Sequence, residues 1–414
     1  MMAIKLHAPC ERTMAMTAPA MPAQKAPTGG AKGAPVVLKP FRVGVQVMDD
    51  EPYDITVTLN AGTQQLTPQY EIPSTGFLND VYLLVENVVT SSTATATGTG
   101  AVGTLLADAP YTVIDSIIFT DTNNSEIIGP VSGYDLYVIS KWGGYCFQDD
   151  PEANTDLFTS SSNATASSTA AGSFSFCLRI PVELVPRDAL GSLPNKSSST
   201  PYKIKISVAS IASVYNSTAT VGGACRFRMT PKSYWEPTAQ DGSGNPVSPQ
   251  PPGVNTTQYW NKTDYLVNVG SMTINLTNSV GFPVRNLGFL LRDSSLVRSV
   301  GETDWPDPFK LQLQSNIIID RLKKLWKREI TENYGYGAAG DAANGKDNGL
   351  YWEPYCKDFG PKPGWETRRG YLRTTDGMRM QAKGTIGGSG THTLTVYTNY
   401  VGVGSGVTLA QLVS

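Results

Sequence analysis

The sequence predicts an all-β protein: two tandem eight-stranded jelly-roll β-sandwiches, each with an embedded short helix, behind an extended N-terminal arm. Three observations carry this expectation. The apolar residues fall in short runs, many alternating, separated by polar loops and turns, with no long β–α–β alternation. One order of events (Gly-Phe, apolar run, polar loop, Asp-Pro-aromatic strand, helix) occurs twice, at 76–145 and 281–334. Between these copies lies Pro237–Thr257, which has five prolines, three glycines and almost no apolar side chains, the composition of a linker.

The chain of 414 residues divides accordingly into an arm (1–40), a first sandwich (41–236), a linker (237–258) and a second sandwich (259–414). Each sandwich is long enough to bury its own core. The arm is rich in Ala, Pro, Met and Gly and cannot build a core. Its basic residues Lys5, Arg12, Lys25, Lys32 and Lys39 against the single acid Glu11 leave it at +4, while the whole chain is −2. Those five cations are the candidate contacts to neighbours or to an anionic surface.

From Phe41 the pattern turns to β. Val43, Val45 and Val47 alternate, as do Ile55, Val57 and Leu59. Val81–Val85 reads as a strand buried on both faces, and Thr90–Thr104 as an exposed low-complexity loop. Asp108-Ala109-Pro110-Tyr111 leads into the strand Ile114–Phe119, and Ser132–Tyr145 reads as a short helix. Strands resume at Phe174–Leu184, Tyr202–Val214 and Cys225–Met229.

Beyond the linker Tyr265, Val267 and Val269 begin the second series. Leu287–Leu291 is the counterpart of Val81–Val85, and Asp307-Pro308-Phe309 opens a strand through Leu311 and Leu313. Asn316–Tyr334 carries the best helical pattern in the chain, with Ile318, Leu322, Leu325, Trp326 and Ile330 on one face. Leu322, Leu325, Trp326 and Ile330 are therefore the expected core of the embedded helix. Gly335–Gly349 and Gly384–Gly390 read as loops, and Thr391–Tyr397 echoes Tyr202–Val208. Eight short strands with long loops per half suit a jelly roll and exclude doubly wound and TIM-barrel folds.

Catalytic chemistry has little to stand on. The two histidines are His7 in the arm and His392, which shares parity with Leu394 and Val396 in a strand and reads as a packed residue. The five cysteines lack C-x-x-C spacing and read as free thiols. The acidic groups Asp49-Asp50-Glu51, Asp149-Asp150 and Asp121 with Glu126 adjoin turns and read as solvated. No catalytic, metal or cofactor site is expected, and the near-neutral charge argues against sequence-specific nucleic-acid binding. Lys323, Lys324, Lys327 and Arg328 form a basic side of the second helix. The sequence has no run of 18 apolar residues to span a membrane, and no secretory signal is expected.

The duplication, the two embedded helices and the paired Asp108–Tyr111 and Asp307–Phe309 segments resemble the double jelly-roll major capsid proteins of tailless icosahedral double-stranded DNA viruses. That lineage joins membrane-containing bacteriophages to the adenovirus-type hexons. The resemblance covers residues 41–414 and implies a structural protein of the virion shell, made in the host cytoplasm, with no enzymatic activity. It implies a homotrimer forming a pseudo-hexagonal capsomer. The implied partners are neighbouring capsomers, penton or vertex and minor capsid proteins, and, through the arm, an internal lipid membrane. The competing expectation is a carbohydrate-binding or adhesive β-sandwich, such as a virion spike, using Tyr234-Trp235 or Tyr351-Trp352 as an aromatic platform.

Overall fold

The computed structural model describes residues 39, 41, 46–48, 52–60, 62–88, 104–145, 150–160, 173–185, 189–216, 224–251, 253, 255–277, 281–298, 303–334, 346–356, 370–375 and 377–404. The first half contributes strands β1 (Gln46–Met48), β2 (Tyr53–Thr58), β3 (Gln65–Leu66), β4 (Tyr70–Glu71), β5 (Phe77–Val88), β6 (Thr104–Leu105), β7 (Ile114–Thr120) and β8 (Glu126–Val131). Helix α1 (Gly133–Trp142) follows, then β9 (Phe158–Ser160), β10 (Phe174–Pro181), β11 (Leu193–Pro194), β12 (Lys203–Val208), β13 (Tyr215–Asn216) and β14 (Ala224–Tyr234). The second half contributes β15 (Thr257–Leu276), β16 (Val284–Arg292), β17 (Phe309–Leu313), β18 (Asn316–Arg321), helix α2 (Lys323–Tyr334), β19 (Leu350–Pro354) and β20 (Met380–Gly402).

Both halves have one topology. In the first, one sheet runs β1 and β2, then β14, β5 and β10, and the facing sheet runs β3 and β4, then β12, β7 and β8. The second repeats this order with fewer, longer strands. The N-terminal part of β15 pairs with the C-terminal part of β20, followed by β16 and β19. The remaining parts of β15 and β20 pair with each other, followed by β17 and β18. Two strands thus serve both sheets, and each half is an eight-stranded jelly roll.

This corrects the expected loop at Gly384–Gly390, which lies inside β20. The ladder with β15 breaks between Ile386 and Thr391, where Gly388 (φ 75°) and Gly390 (φ 81°) let the strand bulge from one sheet into the other.

Period-2 burial builds the sheets. Phe174, Phe176, Leu178 and Ile180 of β10 and Cys225, Phe227 and Met229 of β14 point inward, with half-buried residues between them. β5 follows the same rule: Val81, Leu83 and Val85 are buried while Tyr82 and Leu84 are half-buried, so the expected burial of both faces is corrected. β16 is the strand buried on both faces, from Val284 to Leu291, because its second face turns towards the first roll.

Each roll closes on an aromatic cluster. Tyr111 follows a cis Ala109-Pro110 bond and stacks on Tyr137 of α1 at 4.5 Å. Phe309 follows a cis Asp307-Pro308 bond and packs on Trp326 of α2 at 5.3 Å. Asp307 also accepts from the backbone N–H of Lys323, satisfying a free donor at the start of α2 (3.1 Å).

Two helix expectations need correction. The helix expected over Asn316–Tyr334 begins only at Lys323, and Asn316–Arg321 is a strand. The run Ile317-Ile318-Ile319 is β-branched and pairs with β17, so ladder hydrogen bonds prevail over helical period. Of the expected helix core, Trp326 and Ile330 are buried, together with Tyr334, while Leu322, Leu325 and the preceding Ile318 are exposed. The inner face of α2 is narrow, one residue every fourth position, and the other leucines lie beside it.

Candidate assembly surfaces

The two rolls meet along a seam built around α1. Ser132 caps this helix, its Oγ accepting from the N–H of Asp135 (3.1 Å) while Asp135 Oδ2 accepts from the N–H of Ser132 (2.8 Å). All ten residues of α1 are buried, which an isolated amphipathic helix on one roll would not be. The second roll covers the side that the first leaves open.

Polar groups fix the contact. Asp135 receives the Lys262 ammonium at 2.9 Å and the Tyr397 hydroxyl at 2.6 Å, both from the second roll. Lys141 is buried between the carboxylates of Asp150 and Asp347, and Trp142 Nε1 donates to Asp347 at 3.2 Å. Tyr334 at the end of α2 donates to the carbonyl of Trp142 at 2.6 Å. Arg285 donates to the carbonyl of Gly143 at 2.8 Å, and Gln258 to the carbonyls of Val182 and Glu183 at 3.1 Å. Arg292 and Arg298 both grip Asp108 (2.6 and 2.7 Å) and lie over the Tyr134 ring. β8 and β15 join in parallel at Ile128 and Trp260.

The electrostatics follow from burial and pairing. Burial works against ionisation of Asp135, but Lys262 and the hydroxyl of Tyr397 outweigh it and hold its carboxyl below the usual value. Burial likewise opposes the charge on Lys141, and Asp347 and Asp150 outweigh it, so its pKa is raised. Buried pairs of this kind add little net stability, but breaking one is expensive, so they enforce a single geometry between the rolls.

Glu183, beside the seam, is buried without a cation in contact among the described residues. Its carboxylate accepts from Asn79, Ser192 and Tyr234. Burial, then the neighbouring Asp80, pushes its pKa to about 7.

Of the cationic candidates in the arm, Lys5, Arg12, Lys25 and Lys32 lie outside the described residues. Lys39 is described: its ammonium pairs with Asp241 of the linker, and its backbone bonds to Pro246 and Ser248. Asp150, expected to be solvated, instead pairs with Lys141. His392 is fully buried, its Nε2 3.2 Å from Asp304. Among the described residues no group of His, Cys, Asp and Glu is placed to hold a metal ion, and no described helix is long and apolar enough to cross a membrane. Of the expected aromatic platforms, Tyr234, Tyr351 and Trp352 are buried and Trp235 is exposed, so neither pair presents a two-ring surface.

The sequence held one unread signal for the seam. A lysine in the mostly apolar run Leu-Tyr-Val-Ile-Ser-Lys-Trp calls for a buried counter-charge. Nothing in the sequence says that the partner is Asp347, more than 200 positions away.

The basic side of α2 is partly spoken for. Lys327 donates to the carbonyls of Asp347 and Leu350, both at 3.0 Å, and Arg328 pairs with Glu332 one turn on. Around the strand-to-helix corner Ile317, Ile318, Leu322 and Leu325 are each exposed.

No protein-family model and no curated protein sequence matches the chain. Solved structures do. The chain is similar to the STIV major capsid protein, with a TM-score of 0.55 and 13% identity over 86% of this chain and 97% of that one. The atomic structure of Sulfolobus Turreted Icosahedral Virus gives 0.55 and 13% over 86% of this chain and 91% of that one. PBCV-1 VP54, fitted into a reconstruction of the virophage Sputnik, gives 0.52 and 11% over 89% and 97%. The chain has the double jelly-roll fold of these capsid proteins.

Proposed function

We propose that this chain is the major capsid protein of an icosahedral double-stranded DNA virus, and that three copies form a pseudo-hexagonal capsomer of the virion shell. The observation that carries this reading is the seam: two rolls of one topology are locked side by side by buried ion pairs. Such a chain is a rigid block with two near-equivalent units, and three blocks supply the six units of a hexagonal tile. The similarity to capsid proteins in fold supports the same reading. Its role is structural, and its partners are other copies of itself, neighbouring capsomers, and vertex and minor capsid proteins. Residues 1–38, with Lys5, Arg12, Lys25 and Lys32, would reach neighbouring capsomers or an internal lipid membrane.

Light scattering after size exclusion tests the reading. A particle of three times 44.4 kDa, seen as a hexagonal outline by electron microscopy, is the expected result. A protein that remains monomeric at every concentration and gives no hexagonal particles contradicts it.

A further inference from the structure

We infer that Glu183 and the loop around it form a proton-operated latch between the two rolls, seated while the carboxyl holds a proton and loosened when it gives the proton up. The latch lies within one chain and does not depend on the capsomer reading.

The loop 182–192 joins β10 to β11. Its two legs are tied together by backbone bonds from Leu184 and Val185 to the carbonyl of Leu190 (2.8 and 3.2 Å). Leu184, Val185 and Leu190 are buried against Cys356, Tyr371 and Val401 of the second roll. Gln258 of β15 grips the same loop through the carbonyls of Val182 and Glu183. The side chain of Glu183, by contrast, is held by the first roll. It accepts from Asn79 of β5 (3.4 Å), from Tyr234 of β14 (3.2 Å) and from Ser192 on the returning leg (3.4 Å). One carboxyl thus fastens both legs of the loop to two strands of the first roll, at the place where the loop meets the second.

That carboxyl is built to hold a proton. The charged and titratable groups that face it are Asp80 of β5, Arg179 of β10 and Tyr234 of β14. Arg179 is committed to Asp80, with Nε 2.8 Å from one carboxylate oxygen and Nη2 2.7 Å from the other, and Lys232 also acts on Asp80. Two buried carboxyls therefore compete for one guanidinium, and Glu183 is the one left without it. The hydrogen bonds agree. Bonds to an ionised carboxylate close to about 2.7–2.9 Å, and all three bonds to Glu183 are longer. Asn79 Oδ1, on the amide that faces Glu183, is buried with no donor among the described residues. The cluster is thus short of a donor, and a carboxylic acid carries the O–H that a carboxylate lacks.

Loss of the proton leaves a charge in a buried site with no cation in contact. Unseating the loop relieves it by bringing the carboxyl to water. The same movement gives up the packing on Cys356, Tyr371 and Val401, so the seam opens at this end, while the ion pairs around α1 use other residues and hold. The folded pKa of about 7 against the ordinary 4.5 sets the direction: the latch is seated below neutral pH and loosens above it.

Amide hydrogen exchange of the full-length protein at pH 6 and pH 8 tests the latch. Each rate is divided by that of unstructured chain at the same pH, and light scattering checks that the assembly state is the same at both. The expected result is a fall in protection of about tenfold from pH 6 to pH 8 in residues 182–193 and in the segments they touch, 370–374 and 400–403. That is the ratio for a carboxyl whose pKa drops from about 7 to about 4.5 on opening. β17, remote from the loop, should keep its protection, and Glu183→Gln should abolish the fall. Equal protection of the loop at the two pH values overturns the latch, as does an equal fall in Glu183→Gln. If Glu183→Gln does not fold, the wild type decides by position. A fall confined to the loop and the segments it touches supports the latch, and a uniform fall that includes β17 overturns it.

Discussion

The phenol of Tyr397 donates to Oδ1 of Asp135 at 2.6 Å, joining the last strand of the second roll to the first turn of the helix in the first. Asp135 also holds Lys262 and the N-terminus of α1, so a single carboxylate ties together a helix cap, an ion pair and the contact between the rolls.

Asp135→Asn keeps the shape and can still accept at the cap, but it takes from Lys262 its nearer, buried carboxylate and leaves it only the exposed Asp264 at 3.8 Å. A loss of about 3 kcal/mol in chemical denaturation is expected, the usual cost of breaking a buried pair. Tyr397→Phe, which removes one hydrogen bond to a charged group, should cost about 2 kcal/mol. Equal stability of all three proteins would mean that the seam is not closed in solution.

Glu183 makes stability depend on pH. Its folded pKa of about 7 lies above the ordinary 4.5, so between those values the folded state holds a proton that the unfolded state has released. Its favourable contribution is complete below about pH 4.5 and is lost as pH rises through 7. The shift corresponds to roughly 3 kcal/mol at full ionisation, at about 1.4 kcal/mol per pH unit. Glu183→Gln should be more stable than wild type at pH 8 and should flatten the profile between pH 5 and 8. Parallel profiles for the two proteins would contradict the assignment.

Trp326 packs against Phe289, Trp305, Phe309 and Tyr351 and donates Nε1 to the carbonyl of Trp352. Trp326→Ala should therefore cost about 3–5 kcal/mol through a cavity. Leu325→Ala, next in sequence but exposed, should change the unfolding free energy of the dissociated chain by less than about 0.5 kcal/mol. Comparable losses at the two positions would place Leu325 in the core.

Gly288 stands opposite Trp352 on the neighbouring strand, and a Cβ there would lie 2.1 Å from the indole. Trp352 in turn neighbours Trp260 and Tyr397 in the seam. Gly288→Ala should cost about 1–3 kcal/mol by overpacking and shift the tryptophan fluorescence. A variant with unchanged stability and emission would show that the indole moves aside freely.

Deletion of residues 1–38 should leave the unfolding midpoint and the trimer intact and prevent closed shells from forming. Normal shells seen by electron microscopy from the truncated protein would remove the arm from assembly.

What the sequence determined by itself was local and repetitive. Alternation placed Phe174–Ile180 and Cys225–Met229 in strands, Ser132 and Asp135 marked the start of α1, and the two Asp-Pro-aromatic segments exposed the duplication. Each of these signals lies within a few residues, where steric preference and period leave a direct imprint. The tertiary structure alone decided which apolar residues are covered and by what. Leu322 and Leu325 share the helical period of Trp326 and Ile330, yet only the latter two face the roll, because period reports apolarity and not the width of the face that packs. It also decided that Asp135, Lys141 and Asp347 meet, since pairing across more than 200 residues depends on how the second roll turns against the first. That arrangement is set by shape and charge summed over the whole seam, and no short stretch of the chain encodes it.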